Sequence, residues 1–98
     1  MNKDKEIIEI ARQVIDDEVE ALIGLKDYID ENFEEIVNVI CECSGRLIFT
    51  GLGKSGHISK KISATLSSTG TSSFFIHSTE AFHGDLGMIQ SDDIVVAI

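Results

Sequence analysis

Residues Arg46 to Gly56, RLIFTGLGKSG, constrain this chain more than any other stretch. Leu47, Ile48 and Phe49 form a short apolar run of the kind that a strand buried on both faces needs. The chain then turns through Gly51, Gly53 and Gly56, with Lys54 and Ser55 between the last two. From His57 to Ser68 the apolar residues recur at Ile58, Ile62 and Leu66, which is helical spacing, and Gly70 is the expected C′ residue. A glycine-rich turn between a buried strand and a helix N-terminus aims backbone N–H groups and the positive end of the helix dipole at an anion. Lys54 adds a cation and Ser55 a hydroxyl. The stretch outlines a phosphate site.

Two helices are predicted ahead of it. Over residues 4 to about 28, Ile8, Ala11, Ile15, Val19 and Leu22 make one apolar stripe, widened by Ile7, Val14 and Ile23. Glu6, Glu9, Asp16, Asp17 and Glu20 occupy the opposite face, and Gly24 weakens or ends the helix. A solvated acidic face is the simplest reading; a stripe this wide also suits an oligomer surface. For the second helix, Asn32 with Glu35 three residues on is the expected N-cap. Phe33, Ile36, Val37 and Ile40 are its predicted core face, and Gly45 its stop.

Beyond the organising helix, Ser73 to His77 (SFFIH) is a second predicted strand. Ser78 or Thr79 caps a short helix through Phe82, followed by the turn His83-Gly84-Asp85-Leu86-Gly87. Ile94 to Ile98 is a third buried strand. Strand, helix, strand, short helix, strand is the pattern of a parallel α/β sheet. The expectation is one domain over 1–98, with a helical lead-in over 1–45 and a βαβ half over 46–98. Because Ile98 ends the third strand where a ligand-binding loop is due, the chain reads as truncated.

Charge narrows the function classes. Residues 1–43 hold thirteen acids against four basic residues, whereas residues 44–98 hold four of each. A net charge of −9 argues against a nucleic-acid surface. No run of eighteen apolar residues is present, which predicts no membrane span, and the N-terminus lacks a signal-peptide core; the expected location is cytoplasmic. Cys41 and Cys43, two apart on a helix, point to different faces and read as reduced thiols.

Gly51-Leu52-Gly53-Lys54-Ser55-Gly56 also matches the dinucleotide fingerprint G-x-G-x-x-G. That fingerprint wants an acid at the end of the second strand, where this chain has His77-Ser78-Thr79. A Walker A loop needs glycine where Ile48 stands. ATP is disfavoured, NAD is poorly supported, and a purely structural turn stays open. His77, Glu80 and His83 have an H-x₂-E-x₂-H spacing, but the first sits at a strand end and no fourth ligand is evident, so no metal is expected.

The runs TGLGKSGHISKKISATLSSTGTSSFF and IHSTEAFHGDLGMIQSDDIVVAI resemble sugar isomerase (SIS) domains, most of all the D-arabinose 5-phosphate isomerase subfamily. The resemblance spans residues 46–98, with the two helices matching in pattern. It implies a flavodoxin-like parallel sheet, here cut after its third strand. It also implies interconversion of D-arabinose 5-phosphate and D-ribulose 5-phosphate through an enediolate, supplying the Kdo sugar of lipopolysaccharide, with no cofactor and no metal. Sugar phosphate is the implied ligand and a homo-oligomer, commonly a tetramer, the implied assembly. Lys54 matches the family's active-site lysine, suited to a cation near phosphate or the enediolate oxygen. His83 matches the histidine of H-G-D-L-G, suited to ring opening or proton shuttling. Gly53, Ser55 and Gly56 match the phosphate loop, and Glu80 the glutamate of E-A-x-H. His57 reads as a helix first-turn residue, His77 as a strand-end residue, and Asp85 as a turn holder. The family's S-x-S-G-E motif follows the third strand, so the general base falls beyond Ile98. The runner-up is a non-catalytic sugar-phosphate binder or an inactive fragment.

Overall fold

A computed structural model describes residues 3–82 and 84–98. The chain divides into two compact units, Met1–Ile36 and Val37–Ile98. In the first, helix α1 (Lys3–Gly24) runs into a 3₁₀ turn at Leu25–Tyr28. Gly24 ends the helix, as the sequence suggests. The apolar stripe of α1, including Ile8, Ile15, Val19 and Leu22, is exposed rather than packed into a core.

Helix α2 (Glu31–Cys41) starts from a different cap than the one predicted. Asp30 Oδ1 accepts the N–H groups of Asn32 (3.0 Å) and Phe33 (3.4 Å), so Asp30, not Asn32, is the N-cap. Glu31 and Glu34 add negative charge to the first turn, where the dipole favours it. Of the predicted core face, Phe33, Ile36 and Val37 are exposed and Ile40 is half-buried. Gly45 does not stop this helix, which ends four residues earlier. Its task is close approach: a Cβ there would stand 2.3 Å from the Asp92 carbonyl oxygen.

The second unit is built on a three-stranded parallel sheet of order β2-β1-β3, with β1 at Leu47–Thr50, β2 at Ser73–Phe75 and β3 at Ile94–Ala97. Ile48 aligns with Phe74 on one side and Val95 on the other. The apolar run that predicted β1 is the core itself: Leu47, Ile48 and Phe49 are buried, with Ile76 beside them. The order 2-1-3 is how a flavodoxin-like sheet begins, with its topological switch between β1 and β3. Beyond the assigned strands, Ile76 N–H donates to Phe49 O (2.9 Å) and Ile98 N–H to Thr50 O (3.0 Å), extending both ladders toward the carboxyl end.

Helix α3 (Gly53–Ser68) starts at Gly53, four residues ahead of the predicted His57, so Lys54 and Ser55 lie within its first turn. Its buried face is also not the predicted one. Ile58 is exposed, Ile62 and Leu66 are half-buried, and the buried positions are Gly56, Ser59 and Ser63. Small side chains let the helix lie close to the strands. Each hydroxyl finds an acceptor: Ser59 Oγ lies 2.8 Å from Ser55 O and 3.2 Å from Thr50 O, and Ser63 Oγ donates to Lys60 O at 3.0 Å. At the far end, Thr71 N–H donates to Leu66 O and Gly70, at φ +102°, to Ser67 O. This Schellman pairing makes Gly70 the C′ residue, as its position suggests.

Helix α4 (Ser78–Phe82) and a 3₁₀ turn at Asp85–Met88 lead into β3. The amino ends of β1 and β3 are fastened by Arg46 and Asp93, a pair that the sequence pattern did not reveal. No helix among the described residues is long and apolar enough to cross a membrane.

Candidate functional site

β1 delivers the chain to its carboxyl end at Thr50, and Gly51 turns it under α3. A Cβ at Gly51 would lie 2.9 Å from Ile98 O, and one at Gly56 2.9 Å from Gly51 O. Both glycines are there because backbone packs on backbone. Gly53 has a separate reason, a left-handed φ of +54°. Leu52, extended at φ −112° and ψ 149°, occupies the N-cap position and has no side chain able to bond the first-turn N–H groups. The first turn of α3 therefore presents free N–H donors and the positive end of the dipole.

The residues named from the sequence distribute as follows. Lys54 is exposed and Ser55 half-buried, both on that first turn. Glu80 is exposed in the first turn of α4. The two turns are tied by Thr50 Oγ1 and Ser78 Oγ, 3.1 Å apart, which join the carboxyl end of β1 to the start of α4. His83 lies outside the described residues. Among the described residues, no group of three or more His, Cys, Asp or Glu is placed to hold a metal ion. Cys41 and Cys43 are free, with Cys43 Sγ donating to Asp92 O at 3.4 Å.

Sequence reasoning missed a cleft of about 140 Å³ beside the turn, lined by Gly53, Gly56, His57, Lys60, Phe75 and His77. Of the residues named from the sequence, Gly53 and Gly56 line it, whereas Lys54, Ser55 and Glu80 are not among its described lining residues. His57 and Lys60 come from successive turns of α3, and Phe75 and His77 are two apart at the end of β2. Those spacings, i to i+3 on a helix and i to i+2 on a strand, were the available signal.

The pattern of the SIS domain matches residues 40–98. The chain belongs to the SIS domain family. Over 96 residues this SIS chain is 48% identical to the arabinose 5-phosphate isomerase KpsF of Escherichia coli O6:H1 (strain CFT073), covering 97% of the chain and 29% of that relative. It is 45% identical over 92 residues to the arabinose 5-phosphate isomerase GutQ of Escherichia coli K12, covering 94% and 29%. An E. coli CFT073 protein solved in complex with arabinose 5-phosphate superposes with a TM-score of 0.88 at 41% identity, over 99% of this chain and 51% of that one. The SIS chain thus spans less than a third of the curated relatives it matches and about half of the solved neighbour.

Proposed function

We propose that this chain forms the sugar-phosphate-binding half of an aldose–ketose isomerase acting on D-arabinose 5-phosphate and D-ribulose 5-phosphate. The observation that supports it most is the T-G-L-G-K-S-G-H turn at the carboxyl end of β1, within a chain 48% identical to a relative named for that isomerisation. On this reading residues 1–98 are the N-terminal portion of one SIS domain. Its product feeds Kdo synthesis, in the cytoplasm, and the working assembly is a homo-tetramer.

The chemistry follows from the substrate. A base removes the proton on C2, alpha to the C1 aldehyde of the open-chain aldose, leaving an enediolate. Returning a proton to C1 while the carbonyl forms at C2 gives the ketose. The first-turn N–H groups of Gly53, Lys54 and Ser55 and the Ser55 hydroxyl hold the phosphate or a sugar hydroxyl, fixing the reacting carbons in place, while the Gly56 N–H closes the first helical bond onto Leu52 O at 3.2 Å. The Lys54 ammonium offsets the negative charge that develops on the enediolate oxygen. His83 serves ring opening or proton transfer, and Glu80 contacts the sugar.

Conversion of D-arabinose 5-phosphate by the 98-residue chain and by a longer active isomerase containing it, each beside its Lys54→Ala variant, tests the reading. Turnover that disappears in Lys54→Ala supports it. Unchanged turnover of that variant in the active enzyme overturns the role of Lys54. A folded short chain that binds the sugar phosphate without converting it supports the binding-module alternative for these residues alone.

A further inference from the structure

Thr50 is the residue at which the carboxyl end of the sheet is tied together. Its carbonyl oxygen accepts the Ile98 N–H at 3.0 Å and lies 3.2 Å from Ser59 Oγ, which also reaches Ser55 O at 2.8 Å. Through these bonds β1 holds the end of β3 and the first turn of α3. The Thr50 side chain makes a further connection, to the start of α4, where its Oγ1 stands 3.1 Å from Ser78 Oγ. Helix α4 depends on such a tie, because five residues are too few for a helix to sustain itself. The other side-chain hydrogen bond described at its start is local. There Thr79 N–H donates to His77 Nδ1 at 3.1 Å, which caps the turn without fixing it to β1. A threonine suits the task, since its branched Cβ leaves χ1 few directions in which to aim the hydroxyl. Thr50 and Ser78 are both half-buried, so water competes only in part for their bond.

We propose that Thr50 and Ser78 are positioning residues, whose hydroxyl pair holds the α4 turn that carries Glu80 in place against the α3 turn that carries Lys54. The inference rests on the isomerase reading, in which both turns face one sugar phosphate. Neither hydroxyl is asked to touch the substrate. Ser78 is turned to β1, while Glu80, two positions on and so on a different side of the turn, is left exposed. Loss of the pair frees α4 but leaves the α3 turn held by Ser59. Phosphate binding should therefore persist while the alignment of the reacting carbons suffers, and misplacement of that kind is costly to the chemical step.

The test removes one hydroxyl at a time. Thr50→Val keeps the side-chain shape and both bonds of the Thr50 carbonyl. In a longer isomerase containing these residues, Thr50→Val and Ser78→Ala should each lower kcat on D-arabinose 5-phosphate by about fivefold or more, the scale of one neutral hydrogen bond, and change KM less. Thr50→Ser, which keeps the hydroxyl, should recover most of the loss. The double variant should lose no more than the worse single one, because both changes remove the same bond. Hydrogen exchange of the 98-residue chain supplies a readout that needs no turnover. The Thr79 amide should exchange about fivefold faster in either single variant, while the Ile76 amide, bonded to Phe49 O, keeps its rate. Unchanged exchange at Thr79, or equal acceleration at Thr79 and Ile76, overturns the proposal. So does a Thr50→Ser variant as slow as Thr50→Val, a loss confined to KM, or a double variant whose loss is the product of the single ones. Faster exchange at Thr79 in a chain whose parent enzyme does not convert D-arabinose 5-phosphate upholds the tie between β1 and α4 and sinks the isomerase reading alone.

Discussion

Arg46 and Asp93, 47 residues apart in sequence, meet at the amino ends of β1 and β3, with Nη2 and Oδ2 2.9 Å apart. The Asp93 side chain is only 1% exposed and also accepts the backbone N–H groups of Arg46 (2.9 Å) and Gln90 (2.8 Å). Arg46 spends its remaining capacity on Met88 O, at 2.7 Å, and lies over the Phe74 ring at 4.8 Å from the centroid. One pair thus joins β1, β2, β3 and the 3₁₀ turn before β3. The hydrogen bond from the Arg46 side chain, with the two backbone donors behind it, holds the Asp93 carboxyl well below the usual carboxylate range.

That depression has a sign in stability. A carboxylate that releases its proton more readily when folded stabilises the fold above its unfolded pKa, and the contribution drains away as pH falls below about 4. Asp93→Asn is therefore expected to lower the urea midpoint at neutral pH, with the gap from the parent narrowing by about pH 3. Arg46 is one-third exposed, so solvent screening tempers the effect. Midpoint differences that stay constant between the two pH values count against this role.

Gly45 and Gly24 are expected to respond in opposite ways to one added methyl. At Gly45 the new Cβ meets Asp92 backbone at 2.3 Å, and backbone must shift; Gly45→Ala should cost about 1–3 kcal/mol in chemical denaturation. At Gly24 nothing lies within 4 Å and φ is −61°, so Gly24→Ala should raise helicity and add up to about 1 kcal/mol. A neutral Gly45→Ala would show that the approach of the 43–46 and 92–93 segments is slack.

These glycines also mark what the sequence could and could not tell. The core strand was legible because Leu47, Ile48 and Phe49 leave no polar face, and the turn because Gly51, Gly53 and Gly56 lie between it and a helix. Periodicity misled at α3, where Ile58, Ile62 and Leu66 looked like the core face. A helix lying close on a parallel sheet selects for small size rather than apolar character, and Gly56, Ser59 and Ser63 carry no hydrophobic signal. Likewise, nothing local distinguishes Arg46 or Asp93 from solvated charges, since their meaning lies in a contact 47 residues long. The cleft was hidden for the same reason: His57 and Lys60 come from α3 and Phe75 and His77 from the end of β2, and only the fold brings them to one place.

Ser59 tests the small-residue interface directly. It is fully buried, and its hydroxyl serves the Ser55 and Thr50 carbonyls. Ser59→Ala should cost only about 1 kcal/mol, the net worth of a neutral hydrogen bond. Ser59→Leu must push α3 off β1 and should cost more, at the upper end of the roughly 1–3 kcal/mol expected of overpacking or beyond it. If leucine is tolerated as well as alanine, the helix does not need its close approach, and the account of Gly56 fails with it.

Lys54 offers the cleanest separation of chemistry from folding. Its side chain is exposed, so Lys54→Ala should leave the denaturation midpoint of the chain unchanged. In a longer active isomerase the same change should lower kcat by about 10²–10³, the loss typical of one group that stabilises developing negative charge. Lys54→Ala should affect kcat more than KM, because an ammonium beside the enediolate oxygen acts most strongly where charge accumulates. A variant that raises KM alone would move Lys54 to ground-state phosphate binding. Gly56→Ala supplies the contrast, since its Cβ would collide with Gly51 O at 2.9 Å and displace the whole first turn of α3. That variant should lose stability and turnover together, whereas Lys54→Ala should lose turnover alone.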